Sequence, residues 1–232
     1  MDSSIRSRMG DEFAGIRRSK DQEFDREGHA MTTMHDFGPP AQELTRLAAG
    51  VKDDQLSAPT PCAIYTVADL LDHLMGLSLA FTWAATKATE PLRAQTGDLA
   101  QAEPGLGSAA NLDPEWRKLL PVRLGELVEA WRDPAAWEGT TEAGGLTLPG
   151  EVAAMVAMDE LVLHGWDLAR ATGQPFHCDP GSTEVCFQFT TMSAAPGADR
   201  EGLFGPIVEV APDAPLLDRA LGLSGRDPAW TP

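Results

Sequence analysis

The chain has few cysteines and few basic residues, and both shortages narrow what it can be. Its three cysteines are odd in number and follow no CxxC or zinc-ribbon spacing, so a disulfide framework is not expected. We expect the protein to reside in a reducing cytoplasm. Lys and Arg total 18 against 35 Asp and Glu, which gives a formal net charge of −17. A protein this acidic repels nucleic acids and anionic lipids, so neither is an expected partner.

Long apolar segments are also missing. Residues 1–30 contain no apolar stretch of the kind that a secretory signal requires. The longest nearly apolar run, Leu74 to Thr86, is too short to cross a bilayer. We therefore expect a soluble cytoplasmic protein that does not bind membranes, and the sequence leaves open whether it is a monomer or a homodimer.

The first 36 residues differ from the rest of the chain. They mix charges of both signs with little apolar periodicity, and a second Met-rich start follows at Met31. Such a segment buries too little apolar surface to offset the entropy cost of ordering it. We predict that residues 1–36 are a disordered N-terminal extension, or sequence ahead of a natural start near Met31. Residues 37–232 are predicted to form the folded domain.

Apolar residues at helical spacing recur from Pro39 onwards and predict an all-α domain. The predicted helices cover residues 40–49, 67–86, 116–131, 150–172, 182–192 and 215–221. Thr66 is a good N-cap for the second helix, and Asp69 three residues later completes a capping box. Pro121 is expected to bend or break the third helix. Residues 137–148 favour either a small β-hairpin or a long loop around two glycines.

Four of these helices are long enough to form the body of the domain. We predict an up-and-down four-helix bundle with one long connection and short accessory helices near the C-terminus. The connection, residues 91–111, is rich in Gly, Ala, Gln and Pro. A loop of that length in a compact domain is usually functional or mobile.

A carboxylate and an imidazole stand four residues apart in an apolar part of the fourth long helix. Glu160 and His164 therefore leave the same helix face, and one divalent metal can bridge them. His73 on the second helix offers a third ligand, since bundles build metal sites from facing helices. The alternatives are a solvated Glu–His pair and an ordinary core histidine.

Two segments carry a resemblance to a known family. They are Thr60-Pro-Cys62 with the stretch Tyr65 to Leu74, and the stretch Met158 to Gln174 that contains Glu160-Leu-Val-Leu-His164-Gly-Trp-Asp. The chain from about Pro39 to Pro232 resembles the DinB-like superfamily. Within it, the resemblance is to the mycothiol-dependent maleylpyruvate isomerase type, close to a small uncharacterised metal-binding branch. The tail segments Phe204–Pro206, Pro212–Arg219 and Gly225–Pro228 are also similar to that branch.

The resemblance implies a DinB-like bundle in which His73, Glu160 and His164 are the metal ligands. Zinc is the metal it implies, with nickel and iron(II) as alternatives, and mycothiol is the implied co-substrate. Two features depart from the family pattern. Ile64-Tyr65 stands where the family usually has Gly-Trp, and we do not expect this chain to carry the extra C-terminal domain that supplies a catalytic arginine in the isomerase. The resemblance therefore supports the metal site more strongly than the isomerase reaction.

Three protein ligands leave one coordination position open, as in catalytic zinc sites. A metal in such a site lowers the pKa of a bound water or thiol. Together with the resemblance, this predicts a metal-dependent thiol S-transferase or isomerase. Its metal would activate a low-molecular-weight thiol to attack an electrophilic small molecule. A metal-binding protein without catalysis and a metal-dependent hydrolase are the alternatives.

Some polar residues outside the predicted ligand set have two interpretations each. Asp167, three residues after His164, either accepts a hydrogen bond from that imidazole or points to solvent. Cys62 is either a reactive thiol or packs beside its flanking prolines. Three arginines either orient an anionic substrate or form salt bridges: Arg200, Arg219 and Arg226.

Overall fold

The computed structural model describes residues 34–88, 106–143, 146–198, 200 and 202–232, and these are mainly helical. The helices are α1 Gly38–Gly50, α2 Val67–Thr86, α3 Trp116–Trp131, α4 Pro134–Trp137, α5 Gly150–Thr172, α6 Pro180–Ser193 and α7 Leu216–Leu223, with a 3-10 helix at Asp53–Gln55. Two strands, β1 Thr140–Ala143 and β2 Leu146–Pro149, pair antiparallel with Thr141 opposite Leu148. The prediction of an all-α fold with a small hairpin is confirmed. Within the described ranges, no helix is both long enough and apolar enough to cross a membrane.

Helices α1, α2, α3 and α5 pack on one another and enclose the core. Leu70 and Leu74 of α2, Leu124 of α3 and Leu161 of α5 are at most 1% exposed. Helix α6 packs on α5 and also contacts α7. This is the predicted bundle with accessory C-terminal helices. The long connection runs between α2 and α3, and its residues 89–105 lie outside the described part of the chain.

The ends of the helices follow local sequence signals. The Thr66 side chain accepts a hydrogen bond from the Asp69 backbone, and the Asp69 carboxylate accepts one from the Thr66 backbone, so the predicted capping box is confirmed. Helix α5 ends at Thr172 and is followed by Gly173, whose φ of 68° suits glycine. Pro121 was expected to bend or break helix α3; the helix continues through Pro121, so it does not break there, and the bend stays a prediction. A proline removes only one backbone hydrogen bond, and the buried neighbours Leu120 and Leu124 hold the helix on either side.

The segment just before α1 packs against the bundle. The ring of Phe37 stacks on Trp131 with centroids 5.6 Å apart, and Phe37 is 2% exposed. The His35 ring lies edge-on to Trp137 at 5.5 Å. Residues 1–33 lie outside the described part of the chain, so the extension at residues 1–36 stays a prediction.

Candidate metal centre

The three predicted ligands meet where α2 faces α5. His73 lies in the second turn of α2, and Glu160 and His164 lie on successive turns of α5. One potential ligand atom from each side chain lies within 4.8 Å of the other two. Nε2 of His73 is 3.2 Å from Oε2 of Glu160, and Nε2 of His164 is 3.1 Å from the same oxygen. The residues selected from the sequence therefore converge.

This donor set fits a divalent metal ion. Zinc bonds of about 2.1 Å at tetrahedral angles place neighbouring ligand atoms about 3.4 Å apart, close to the two nitrogen–oxygen distances of 3.2 and 3.1 Å. Two imidazole nitrogens and one carboxylate oxygen suit zinc, and the same set is used for iron(II). Hydrogen bonds from the two imidazoles to one carboxylate oxygen would give nitrogen–oxygen distances of the same size. Metal binding itself therefore stays a prediction.

The ionisable side chains at the site shift one another's pKa values. Burial favours the neutral form of Glu160, but hydrogen bonds from His164 and His73 outweigh it and hold its pKa well below the usual range. Burial also opposes a charged His164, yet its hydrogen bonds to Asp167 and Glu160 raise the pKa of His164 to about 9. The side chains of His73, Glu160 and His164 are 12%, 23% and 9% exposed, so solvent reaches the site mainly at the carboxylate.

Asp167 is buried directly behind His164. Its Oδ2 lies 2.9 Å from Nδ1 of His164, and the residue is 0% exposed. Of the two interpretations of Asp167, the hydrogen bond to the imidazole is therefore the one found. Arg226 donates two hydrogen bonds to the same carboxylate, each 2.8 Å long. Arg226 lies 59 residues away in an irregular tail. Helical spacing therefore gave no signal in the sequence for the pair of Asp167 and Arg226.

Tyr65 forms part of the wall of the site. Its ring centroid lies 5.2 Å from that of His73 and 6.2 Å from that of His164. Burial is the main cause that raises the pKa of Tyr65 to about 12. Tyr65, one of the two residues that depart from the family pattern, is therefore a neutral phenol beside the candidate ligands.

The end of the long connection docks on the first turns of α2, next to His73. The backbone N–H groups of Gly107, Ser108 and Ala109 donate in turn to the Tyr65 hydroxyl at 3.3 Å, to Asp72 at 2.9 Å and to Asp69 at 2.6 Å. A Cβ atom on Gly107 would lie 2.1 Å from the Asp69 carbonyl oxygen, so only glycine fits there. Sequence analysis missed this contact, because its only mark is Gly107, which cannot be told apart from the other glycines of the loop.

The other candidate residues lie away from the ligands or have structural partners. The Arg200 guanidinium donates to the carbonyl oxygens of Ser193, Gly205 and Leu223, and that of Arg219 lies over the Phe187 ring. Arg226 forms the salt bridge to Asp167. Cys62 packs against the core, and burial is the main cause that raises the pKa of its thiol to about 11.

Comparison with known proteins agrees with the family resemblance. Residues 37–169 match the family model described as the mycothiol maleylpyruvate isomerase N-terminal domain. Uncharacterised proteins from two strains of Mycobacterium tuberculosis are each 30% identical over 135 residues, which cover 58% of this chain and 64% of the relative. The chain thus spans less than two thirds of the length of these curated relatives.

Solved structures give a more distant match. Crystal structures of the mycothiol-dependent maleylpyruvate isomerase and of a mutant of it are each 17% identical to this chain. Each covers 66% of this chain and 65% of its own, with TM-scores of 0.45 and, for the mutant, 0.46. The family model, by contrast, covers more than half of the chain, from Phe37 to Ala169. The chain therefore belongs to the mycothiol maleylpyruvate isomerase N-terminal domain family.

Proposed function

We propose that this protein is a metal-dependent enzyme that uses a low-molecular-weight thiol, mycothiol, to attack an electrophilic small molecule. The observation that supports a metal site is the convergence of His73, Glu160 and His164 within 4.8 Å. Membership of the mycothiol maleylpyruvate isomerase family supports the choice of thiol. The reaction class is a thiol S-transfer or a thiol-dependent isomerisation.

In this proposal the three side chains hold a zinc ion, with nickel or iron(II) as alternatives. A divalent metal in such a site lowers the pKa of a thiol or water that binds it. Glu160 supplies the negative charge, and the His164 imidazole is held by Asp167 with Nε2 toward the carboxylate. Tyr65, with a pKa near 12, remains protonated at neutral pH and does not serve as the base.

The nucleophile is expected to come from outside the chain. Cys62 lies near the site, but its pKa of about 11 leaves little thiolate at neutral pH. Cys178 has a similarly raised pKa, and Cys186 is fully buried. An external thiol that binds the metal needs no protein base, because its proton can leave to solvent.

The proposal is tested with purified protein reconstituted with zinc, mycothiol and a chlorodinitrobenzene. In this assay the thiol sulfur bonds to the ring carbon, chloride leaves, and the thiol proton passes to solvent. We expect turnover that requires both thiol and zinc and that is lost in His73→Ala. His177→Ala is the matched control: this histidine lies in a loop where its backbone contacts Glu43, so it should keep full activity. Maleylpyruvate with mycothiol tests the isomerisation in parallel.

Other results would point to another function. Stoichiometric zinc without turnover of any electrophile would favour a metal-binding protein without catalysis. Hydrolysis of activated esters in the absence of thiol would favour a metal-dependent hydrolase. A protein that binds no divalent metal would overturn the proposal.

A further inference from the structure

We infer that Arg226, near the C-terminus, is a positioning residue for the metal ligand His164 and acts through Asp167. This inference rests on the proposed metal site. Nε of Arg226 lies 2.8 Å from Oδ1 of Asp167, and Nη2 lies 2.8 Å from Oδ2. The same Oδ2 lies 2.9 Å from Nδ1 of His164. The three side chains thus form one chain of hydrogen bonds that ends at a candidate ligand.

Arg226 is itself fixed in position. It is 8% exposed, its Nη1 donates to Oγ of Ser224 at 3.2 Å, and its backbone N–H donates to the Leu221 carbonyl at 2.8 Å. These partners belong to the C-terminal end of α7 and the residue that follows it. The guanidinium therefore has one orientation, which is set by the fold of the C-terminal segment.

The paired hydrogen bonds determine how Asp167 meets the imidazole. Two parallel hydrogen bonds from one guanidinium fix the plane of a carboxylate as well as its position. With that plane fixed, Oδ2 of Asp167 accepts the hydrogen of Nδ1 of His164, which leaves Nε2 as the atom that can bind a metal. Carboxylates placed in this way behind ligand histidines commonly change metal affinity 10- to 100-fold when they are removed.

The test measures zinc affinity by competition with a chromophoric chelator, and the absorption of bound cobalt(II) as a report on ligand geometry. We expect Arg226→Gln and Asp167→Asn each to weaken zinc binding about 10- to 100-fold and to change the cobalt spectrum. A variant that carries both of these changes should bind zinc no more weakly than the weaker-binding single variant. Both changes break the same chain of hydrogen bonds to His164. Arg226→Lys keeps the charge but not the paired donors, so it should recover only part of the affinity.

Arg200→Gln is the matched control. Arg200 donates to the carbonyl oxygens of Leu223 and Gly205, so it ties down the same C-terminal segment without touching Asp167. This variant should melt at a lower temperature and bind zinc with unchanged affinity. Equal weakening of zinc binding in Arg200→Gln and Arg226→Gln would overturn the inference, as would wild-type affinity in Arg226→Gln.

Loss of folding in Arg226→Gln would not remove the test. A double variant, Asp167→Asn with Arg226→Met, takes away both buried charges and is expected to fold. Its zinc affinity should equal that of Asp167→Asn, and a wild-type value would overturn the inference. A wild-type protein that binds no zinc is a separate result, because it overturns the metal site itself and this inference with it.

Discussion

His73 and His164 both approach a single oxygen atom, Oε2 of Glu160, at 3.2 and 3.1 Å. If one ion is shared, replacing any of the three residues by Ala should release most of the metal at neutral pH. The losses should not add, because ligands of one ion act as a unit. Loss of the metal should lower the free energy of unfolding by about 3–4 kcal/mol when metal is present at 100–1,000 times Kd. Elemental analysis and thermal melts measure both effects.

Two controls make this prediction specific. A chelator should lower the melting temperature of the wild-type protein to that of the Ala variants and leave the variants unchanged. His177→Ala should keep its metal, since His177 is not one of the three converging residues and its backbone N–H donates to Glu43. Full metal content in a protein that carries both His73→Ala and Glu160→Ala would show that the three residues are not the ligands.

Cys62 provides a prediction about pH. Burial is the largest cause of its raised pKa of about 11, and the charge of Asp167 adds to it. The thiol is therefore neutral below that pH, and the reactive thiolate increases as the pH rises toward 11. Alkylation of Cys62 by iodoacetamide should rise about tenfold per pH unit from pH 7 to 9. Peptide-resolved mass spectrometry measures it, and a rate that levels off near pH 9, as for an ordinary thiol, would contradict the raised pKa.

At this scale the sequence predicted some contacts and not others. Glu160 and His164 could be paired because four residues equal about one helical turn, and His73 because its helix was evident from apolar periodicity. The second partner of Asp167, Arg226, could not be predicted. Arg226 lies in an irregular segment, where no period relates sequence distance to distance in space.

Among the structural elements, the docked end of the long connection has the sharpest steric constraint. Gly107 lies so close to α2 that a Cβ would fall 2.1 Å from the Asp69 carbonyl and 2.7 Å from Cβ of His73. Gly107→Ala should displace this loop and lower the free energy of unfolding by about 1–3 kcal/mol, the usual cost of overpacking. Chemical denaturation measures the loss.

Gly76, which lies in α2 itself, serves as the control for the substitution of Gly107. A Cβ at Gly76 would meet nothing within 4 Å, so Gly76→Ala should raise stability by about 0.5–1 kcal/mol through helix propensity alone. If Gly107→Ala were as stable as wild type, the loop could not be tightly docked at His73. A stabilising Gly107→Ala would contradict the contact altogether.

Helix positions were predictable because they depend on short-range signals. The capping box at Thr66, the apolar period of α2 and the glycine after α5 all lie within a few residues of the feature they specify. Docking of the 106–109 loop depends instead on the Tyr65 hydroxyl and on carboxylates of α2 that are about forty positions earlier. No local pattern encodes that contact. Pro121 shows the opposite case, where tertiary packing overrides a strong local signal.

For the molecule as a whole, the candidate centre depends on more of the chain than the family match covers. The matched region ends at Ala169, and it contains the three candidate ligands and Asp167. Arg226 lies beyond it, after α7, and donates two hydrogen bonds to the carboxylate of Asp167. We therefore expect a fragment that ends near residue 169 to bind metal more weakly than the full chain, even if it remains helical.

The N-terminal boundary gives the last prediction. A chain that begins at Met31 should melt at the same temperature as the full chain, whereas one that begins at Asp36 loses the edge-on contact between His35 and Trp137.

Burial lowers the pKa of His35, so its folded-state pKa lies below the unfolded value of 6.5. The stability that the neutral ring contributes is therefore present above about pH 6.5 and is lost as the pH falls. The difference in melting temperature between the two shortened chains should be largest near pH 8 and shrink toward pH 5. A drop of several degrees in the chain from Met31 would show that residues before it stabilise the bundle, and equal melting of both shortened chains at pH 8 would show that the His35 contact contributes nothing.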